Sequence, residues 1–241
     1  MHEEKLQKVK QSMGNINQKK EKPLFIANLT RKRVLGTIAG NLLMAFGVAV
    51  LRVSHLGNDS FTAMNMAVSD LLPIGLGLYQ IFLNLIFFLV ELGFGRKYIG
   101  IGTLFNMFIN GYVIQYSIPL IESVIGKEGS HPLGLQLCIL FAGLLVVSLG
   151  LAFYQAADVG VAPYDYFSLG MTDLKKLPYF ANRMITDCTC VIIALLTWIL
   201  GFHKLSECHL GIGTILMAFC LGPFIAMFDK LFVGKLMREQ K

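Results

Sequence analysis

Residues 56–72 read LGNDSFTAMNMAVSDLL and residues 159–175 read VGVAPYDYFSLGMTDLK, so one design occurs twice at a constant offset of 103 residues. Each copy has a glycine at its second position, an aromatic residue at its sixth, and a Ser/Thr-Asp-Leu triplet near its end. A second echo follows, because Gly-Ile-Gly-Thr stands at residues 100–103 and again at residues 211–214, an offset of 111. This duplication predicts that the chain consists of two related halves.

The composition is typical of a membrane protein. Hydrophobic residues make up 55% of the chain, charged residues only 15%, and the mean hydropathy is +0.62, whereas soluble domains carry roughly 25% charged residues. Six predominantly apolar stretches are long enough to cross a hydrocarbon core about 30 Å thick as helices. They are residues 34–53, 74–94, 98–121, 133–153, 178–200 and 210–228. The sequence therefore predicts an all-α, polytopic membrane helix bundle with six transmembrane helices.

The distribution of basic residues predicts the orientation of this bundle. If both termini are cytoplasmic, 17 of the 21 Lys and Arg side chains fall on the inner side and three on the outer side, as the positive-inside rule requires. Because these residues lie at membrane boundaries and form no stripe with aromatics, they indicate lipid contact and no nucleic-acid partner. The predicted segments are a disordered basic tail (1–33), a first membrane repeat (34–121), an outer linker (122–132), a second membrane repeat (133–233) and a cytoplasmic tail (234–241).

Three spans per half make the halves inverted repeats, because an odd number of crossings brings the second copy into the membrane from the opposite side. Each duplicated segment predicts a short helix, since Asn58, Asp59 and Ser60 are N-cap residue types and Pro163 suits a first helical turn. Helices of this length cannot span a bilayer. They are either amphipathic helices at the interface or re-entrant helices that dip toward the midplane, and both alternatives stay open.

Polar residues inside the predicted spans are candidates for a binding site. Arg183 and Asp187 are four residues apart on a helix, so they share a face and can pair. Because charges in hydrocarbon are costly, we expect this pair either to face a cavity or to snorkel to the interface. Asn106 and Asn110 also share a face with Thr103, and they either bond to a neighbouring helix or line a cavity.

Glycines predict where helices approach closely. Gly36 and Gly40 form a G-x-x-x-G pattern on the first span, which favours tight packing within the bundle. The glycines of the two Gly-Ile-Gly-Thr motifs flank the starts of the third and sixth spans, and we expect them to allow contact between these two equivalent helices.

The sequence contains no fingerprint of an enzyme or a nucleotide-driven pump. G-x-S-x-G, H-E-x-x-H, P-loop and Rossmann motifs are missing from it. Residues 203–209 read HKLSECH, but the spacing of their two His and one Cys matches no standard zinc pattern. We therefore predict no enzymatic activity, no metal and no cofactor.

Several motifs together resemble one family of membrane proteins. They are the run ADVGVAPYD at residues 157–165, the Asn182-Arg183 pair with Asp187 one turn on, and the Gly-Ile-Gly-Thr motif at residues 211–214 that leads to Gly222-Pro223. In these motifs the chain resembles the YczE/YyaS/YitT family of bacterial integral membrane proteins over residues 34–233. The resemblance implies a multi-pass protein of the bacterial inner membrane, in a family that includes suspected transporters and exporters.

Two functional hypotheses follow. In the first, the chain is a secondary transporter of a small solute, with ion coupling through its buried charges. The helix starts offer partial positive charge to an anion, whereas the carboxylates at the same starts favour a proton or a cation. The second is a non-transporting accessory protein that binds a membrane partner, and a homo-oligomer stays open in either case. The predicted solute-binding residues are Asn58, Asp59, Ser60, Asn106, Asn110, Pro163, Tyr164, Asp165, Arg183 and Asp187.

Overall fold

The structure is a computed structural model that describes residues 29–72, 76–127, 131–175, 177–201 and 210–238. All regular secondary structure in these residues is helical. The helices are α1 (Arg31–Val53), α2 (Ser60–Leu71), α3 (Leu76–Phe94), α4 (Ile101–Ile125), α5 (Leu133–Ala157), α6 (Pro163–Lys175), α7 (Tyr179–Gly201), α8 (Ile212–Phe228) and α9 (Gly234–Arg238). A 3-10 turn (Arg96–Tyr98) precedes α4, and a π-helical turn (Asp229–Val233) joins α8 to α9.

Each half of the chain repeats one order of helices: a long helix, a short helix, and then two further helices. The short helices α2 and α6 have 12 and 13 residues, so the prediction of a short helix in each duplicated segment is confirmed. The predicted disorder of the basic tail concerns residues that lie, up to residue 28, outside the described part of the chain.

Three predicted segment boundaries differ from the structure. The basic tail was predicted to extend to residue 33, but α1 begins at Arg31. The outer linker was predicted to begin at residue 122, but α4 continues to Ile125. The segment after residue 233 was predicted to be a tail, but α9 continues the last helix, and the buried Met237 packs against Gly36. In each case the helix extends past the apolar stretch, because backbone hydrogen bonding does not stop where hydropathy falls.

In the part of the chain that the structure describes, four helices are long and apolar enough to cross a membrane: α1, α5, α7 and the continuous segment Ile212–Met237. Helix α3 has a shorter apolar stretch, Leu78–Phe94. Its outer face is nevertheless apolar, because Ile81, Leu85 and Leu89 follow one another at a spacing of four and are all exposed. Large exposed apolar faces mark surfaces that contact lipid or another protein, and with the apolar helices they make this a membrane protein.

The main core lies where α1 crosses α5, with α8 packed beside them. Small residues let the two backbones approach closely. A Cβ added to Gly40 would lie 2.9 Å from the Cβ of Tyr154, and a Cβ added to Gly143 would lie 2.8 Å from the Cγ of Leu51. The prediction that Gly40 allows close packing within the bundle is therefore confirmed. The two contacts are also reciprocal, because Gly143 and Tyr154 follow Gly40 and Leu51 by 103 residues each.

The turns that lead into α2 and α6 have the same backbone conformation. His55 and Asp158, again 103 residues apart, are the non-glycine residues with positive φ in the described chain, at 58° and 55°. Two residues later Gly57 and Gly160 have φ values of 125° and 117°, which a residue with a Cβ rarely adopts. After these turns both short helices pack against α7 and α3, which follow or lie across from them, and not mainly against the long helix that precedes each turn.

Each of these turns is bonded to the other half of the chain. The backbone N–H of Gly102 donates to the carbonyl of Val159 at 3.0 Å, and the N–H of Gly213 donates to the carbonyl of Leu56 at 2.8 Å. The sequence predicted that the Gly-Ile-Gly-Thr glycines bring the third and sixth spans together, and this prediction is wrong. They instead let the start of α4 approach the turn before α6, and the start of α8 approach the turn before α2.

Candidate functional site

The first turn of α6 places a carboxylate in the interior of the bundle. Pro163 begins the helix, as predicted, and Asp165 is its third residue. The reversal before α6 directs this turn inward, so that the Asp165 side chain is only 4% exposed. An acidic side chain in the first turn is favoured there by the helix dipole.

Arg183 on α7 joins two carboxylates into one buried cluster. Its Nη1 donates to Oδ1 of Asp165, and its Nε donates to Oδ2 of Asp187 at 3.0 Å. The hydroxyl of Tyr164 donates to the other oxygen of Asp187 at 2.7 Å, and the hydroxyl of Tyr154 donates to the other oxygen of Asp165. The predicted pairing of Arg183 with Asp187 is confirmed, and all four carboxylate oxygens have a partner.

The cluster lies in the interior of the helix bundle. Arg183 is 5% exposed and Asp187 is 2% exposed, so the alternative of a snorkelling pair does not describe them. Burying an ion costs several kcal/mol unless it is paired and hydrogen-bonded. With one guanidinium for two carboxylates, the cluster has a net charge of −1 when both carboxylates are ionised, and this excess is available to a proton or another cation.

A central cavity of about 340 Å³ lies between the two halves and borders this cluster. Its polar lining residues are Arg52, Asp59, Thr62, Gln80, Asn84, Asn106, Asn110, Tyr164, Asp165 and Arg183, and its apolar lining includes Met44, Phe61, Pro163 and Leu221. Seven of the ten predicted solute-binding residues therefore face one space. Asp187 does not line the cavity, but it is hydrogen-bonded to Arg183 and Tyr164, which do.

The asparagines of α4 have both of the roles that the sequence left open. The Oδ1 of Asn41 on α1 accepts hydrogen bonds from the amides of Asn106 at 2.9 Å and Asn110 at 3.3 Å, so these residues connect α1 with α4. Both also line the cavity. The side-chain oxygen of Asn110 is buried and has no hydrogen-bond partner among the described residues, which leaves it free to accept a hydrogen bond from a solute.

Two aromatic rings at repeat-related positions, in the first turns of the two short helices, pack against each other at the cavity wall. Phe61 on α2 and Tyr164 on α6 stack with ring centroids 4.3 Å apart and an interplanar angle of 22°. The guanidinium carbon of Arg183 lies 5.1 Å from the centroid of the Tyr164 ring. Tyr164 therefore contacts the cluster with its hydroxyl and its ring, and the other half of the chain through Phe61.

The three residues at the start of α2 have different roles. Asp59 is the N-cap, since its side chain accepts from the N–H of Thr62 at 3.0 Å, and it also lines the cavity. Asn58 was predicted to bind solute, but it is not among the cavity-lining residues, and its amide lies 3.4 Å from the sulfur of Met66. Ser60 does not line the cavity either, and its hydroxyl is buried without a hydrogen-bond partner among the described residues.

The predicted set of solute-binding residues leaves out part of the site. Gln80 and Asn84 line the cavity from α3, and they precede Arg183 and Asp187 by 103 residues each. The repeat offset could therefore have found them. Tyr154 has no such signal, because only the folded chain brings the end of α5 to the carboxylate of Asp165.

No metal site is visible in the described ranges, where no group of three or more His, Cys, Asp or Glu residues could hold an ion. The HKLSECH segment that was weighed as a metal site lies outside them.

Comparison with known proteins places this architecture in a family. A model described as "Family of unknown function (DUF6198)" matches residues 31–230. The chain belongs to this family. The DUF6198 region contains α1 to α8, and with them the whole cluster and cavity. The chain is also similar to "Uncharacterized protein YyaS" of Bacillus subtilis (strain 168), with 23% identity over 201 residues, which cover 81% of this chain and 94% of the relative. The resemblance read from the motifs is thus confirmed as a YyaS-like family. No solved structure matches the chain.

Proposed function

We propose that this protein is a secondary transporter that carries a small, polar, cationic or neutral solute through the central cavity, coupled to a proton or another cation. The observation that carries the proposal is the buried cluster of Asp165, Arg183 and Asp187 at the wall of a cavity between the two halves. Ionisable residues inside membrane helices are costly, and where they occur they mark solute or ion pathways. A bundle that only needed stability would bury apolar side chains here.

The proposed architecture is a pair of inverted repeats, each with three transmembrane helices. In this arrangement α3 and α4 also cross the bilayer, together with α1, α5, α7 and the segment Ile212–Met237. It is supported by the reciprocal contacts of Gly40 and Gly143, since surfaces related by a twofold axis contact each other reciprocally. The matched turns at Gly57 and Gly160 are a second support. Inverted repeats with binding sites at their interface are an established transporter plan.

Helices α2 and α6 are re-entrant in this proposal. Asp59 and Pro163, at the starts of the two helices, both line the central cavity. Phe61 and Tyr164 stack against each other across the halves. Helices lying at opposite bilayer surfaces could not make these contacts, because the hydrocarbon core of about 30 Å would separate them. The proposed location is the bacterial inner membrane, with both termini in the cytoplasm.

The charge of the cavity favours a cation over an anion as solute or coupling ion. Arg183 is paired with two carboxylates, of which Asp165 lines the cavity. Asp59 adds a second carboxylate to the lining, and Arg52 adds a second cation. Counting Asp187 behind the wall, three carboxylates face two guanidinium groups. The remaining polar lining consists of four amides and the hydroxyls of Thr62 and Tyr164, and both kinds of group can hydrogen-bond to ammonium and hydroxyl groups. The volume of about 340 Å³ is near the lower limit of about 300 Å³ for ligand pockets, so the solute is small.

The test is counterflow in vesicles that contain only the purified protein. Labelled ethanolamine, choline and glycerol serve separately as small cationic and neutral probes. We expect uptake of at least one probe. We expect Asp187→Asn to abolish it, because this change removes one of the two carboxylates of the cluster. Asn also stands at the repeat-related position 84, so it suits the helix. Asp70→Asn at the exposed end of α2 is the matched control and should transport normally. Absence of uptake of every probe by folded protein, together with a membrane protein that co-purifies, would support the accessory hypothesis instead.

A further inference from the structure

Glu91 is a buried carboxyl group that neither the cluster nor the cavity uses. It lies on α3, one turn before the helix ends. Its exposed fraction is 0%, and both carboxyl oxygens are buried without a hydrogen-bond partner among the described residues. The repeat-related position in the second half is Ala194, which is also fully buried, so the carboxyl is not required for packing at this position in the fold.

Among the described residues, no group around Glu91 offers it a compensating charge. Helix α3 packs against α2, α6 and the 3-10 turn before α4. From α6, the like charge of Asp165 acts on Glu91, and Glu91 in turn acts on the phenol of Tyr166. Arg96 and Lys97 in the turn are exposed, and the Nε of Arg96 donates to a backbone carbonyl of α3. On α2, Asp70 is exposed at the far end of the helix.

An ionised carboxylate in such a position would cost several kcal/mol, because it has lost its water and gained neither a cation nor a donor. The stable form of Glu91 in this conformation is therefore the neutral acid, which holds a proton. The Asp165 carboxyl group nearby is paired with Arg183. Two interacting carboxyl groups titrate as a pair, since a proton on one favours ionisation of the other.

We propose that Glu91 is a proton-binding site that couples solute movement in the central cavity to proton flux. The proton binds to a carboxylate oxygen of Glu91 when that residue is buried as in this structure. It leaves when α3 moves against α6 and exposes the group to water, so one proton crosses for each cycle and no covalent bond other than O–H changes. This inference rests on the proposed transport function, and it names the coupling ion of that function.

Infrared spectroscopy tests the proton site whether or not transport is found. A protonated, buried carboxyl group gives a C=O stretching band apart from those of carboxylates and amides, and the band shifts in D₂O. We expect the wild-type protein to show this band at neutral pH. Glu91→Gln should lose it, because Gln has no carboxyl group, while its shape is that of the neutral acid. Glu122→Gln on α4 is the matched control and should keep the band. A spectrum of folded wild-type protein without any band that Glu91→Gln removes would overturn the proposal.

The coupling step is tested in vesicles that contain the pH-sensitive dye pyranine. With an imposed ethanolamine, choline or glycerol gradient, we expect the wild-type protein to move protons. Glu91→Gln should lose proton movement, while exchange of labelled for unlabelled probe continues and becomes independent of pH. Proton movement that survives in Glu91→Gln would overturn coupling through this residue. If the wild-type protein exchanges none of the probes while the infrared band is present, then the proposed function and the coupling fail, and the proton site alone stands.

Discussion

The substitution Arg183→Gln tests whether the buried cluster is held by its one cation. Gln is the residue at the equivalent position of the first half, Gln80, so it suits the helix and the site. The change removes the partner of two buried carboxylates at once. Breaking a buried ion pair from one side costs about 3–5 kcal/mol, because it leaves an unpaired charge behind. We expect the free energy of unfolding to fall by about this amount.

The same reasoning predicts that further substitution restores stability. In the triple variant Asp165→Asn, Arg183→Gln, Asp187→Asn no charge remains in the cluster, and replacement of buried ionic groups by neutral ones is often neutral or stabilising. We therefore expect the triple variant to recover most of the loss. Arg52→Gln is the matched control, because Arg52 lines the same cavity but forms no ion pair within the described ranges.

Unfolding in mixed micelles, followed by far-UV circular dichroism as the fraction of sodium dodecyl sulfate rises, measures these differences. The slope of the transition shows whether each variant unfolds from an equally compact state. The reasoning is refuted if Arg183→Gln unfolds within about 1 kcal/mol of the wild type. It is also refuted if the triple variant is no more stable than the single one.

Three further predictions concern the helix contacts. Gly40→Ala should destabilise the protein by about 1–3 kcal/mol, since its Cβ would lie 2.8 Å from a carbonyl oxygen of α5, and the same unfolding titration measures it. Asn41→Leu should cost more than Asn106→Leu, because it leaves two amides without their acceptor, at about 1–3 kcal/mol for each buried unsatisfied group; equal losses would contradict this. Tyr164→Phe removes the hydroxyl that donates to Asp187 and also lies 3.5 Å from the sulfur of Cys190, so it should cost about 1 kcal/mol and lower probe uptake in vesicles. Unchanged uptake would show that the hydroxyl has no role in transport.

Much of the fold could be predicted from the sequence, because its main signals are local. Hydropathy determines which segments are apolar helices, and the offset of 103 residues located both short helices. The pairing of Arg183 with Asp187 was predictable for the same reason, since a spacing of four within one helix fixes which side chains meet.

The rest of the site depends on contacts between segments that are distant in sequence. Asp165 meets Arg183 only because the turn at Gly160 folds α6 back against α7. Glu91 was not singled out, because a carboxyl group near the end of an apolar stretch normally reaches water, and only the packing of α3 against α6 buries it. The Gly-Ile-Gly-Thr glycines were assigned the wrong partners because a small residue predicts a close approach without identifying what approaches.

The central claim, that solute crosses between the halves through the described cavity, is tested most directly by the accessibility of the cavity wall from both sides of the membrane. Asn84→Cys places a thiol on that wall, in a variant from which the five native cysteines have been removed. In vesicles of known orientation, a membrane-impermeant maleimide is added from one side at a time, with and without the transported probe. Alternating access predicts labelling from each side and protection by the probe. Labelling from one side only, or from neither, would contradict the proposed pathway.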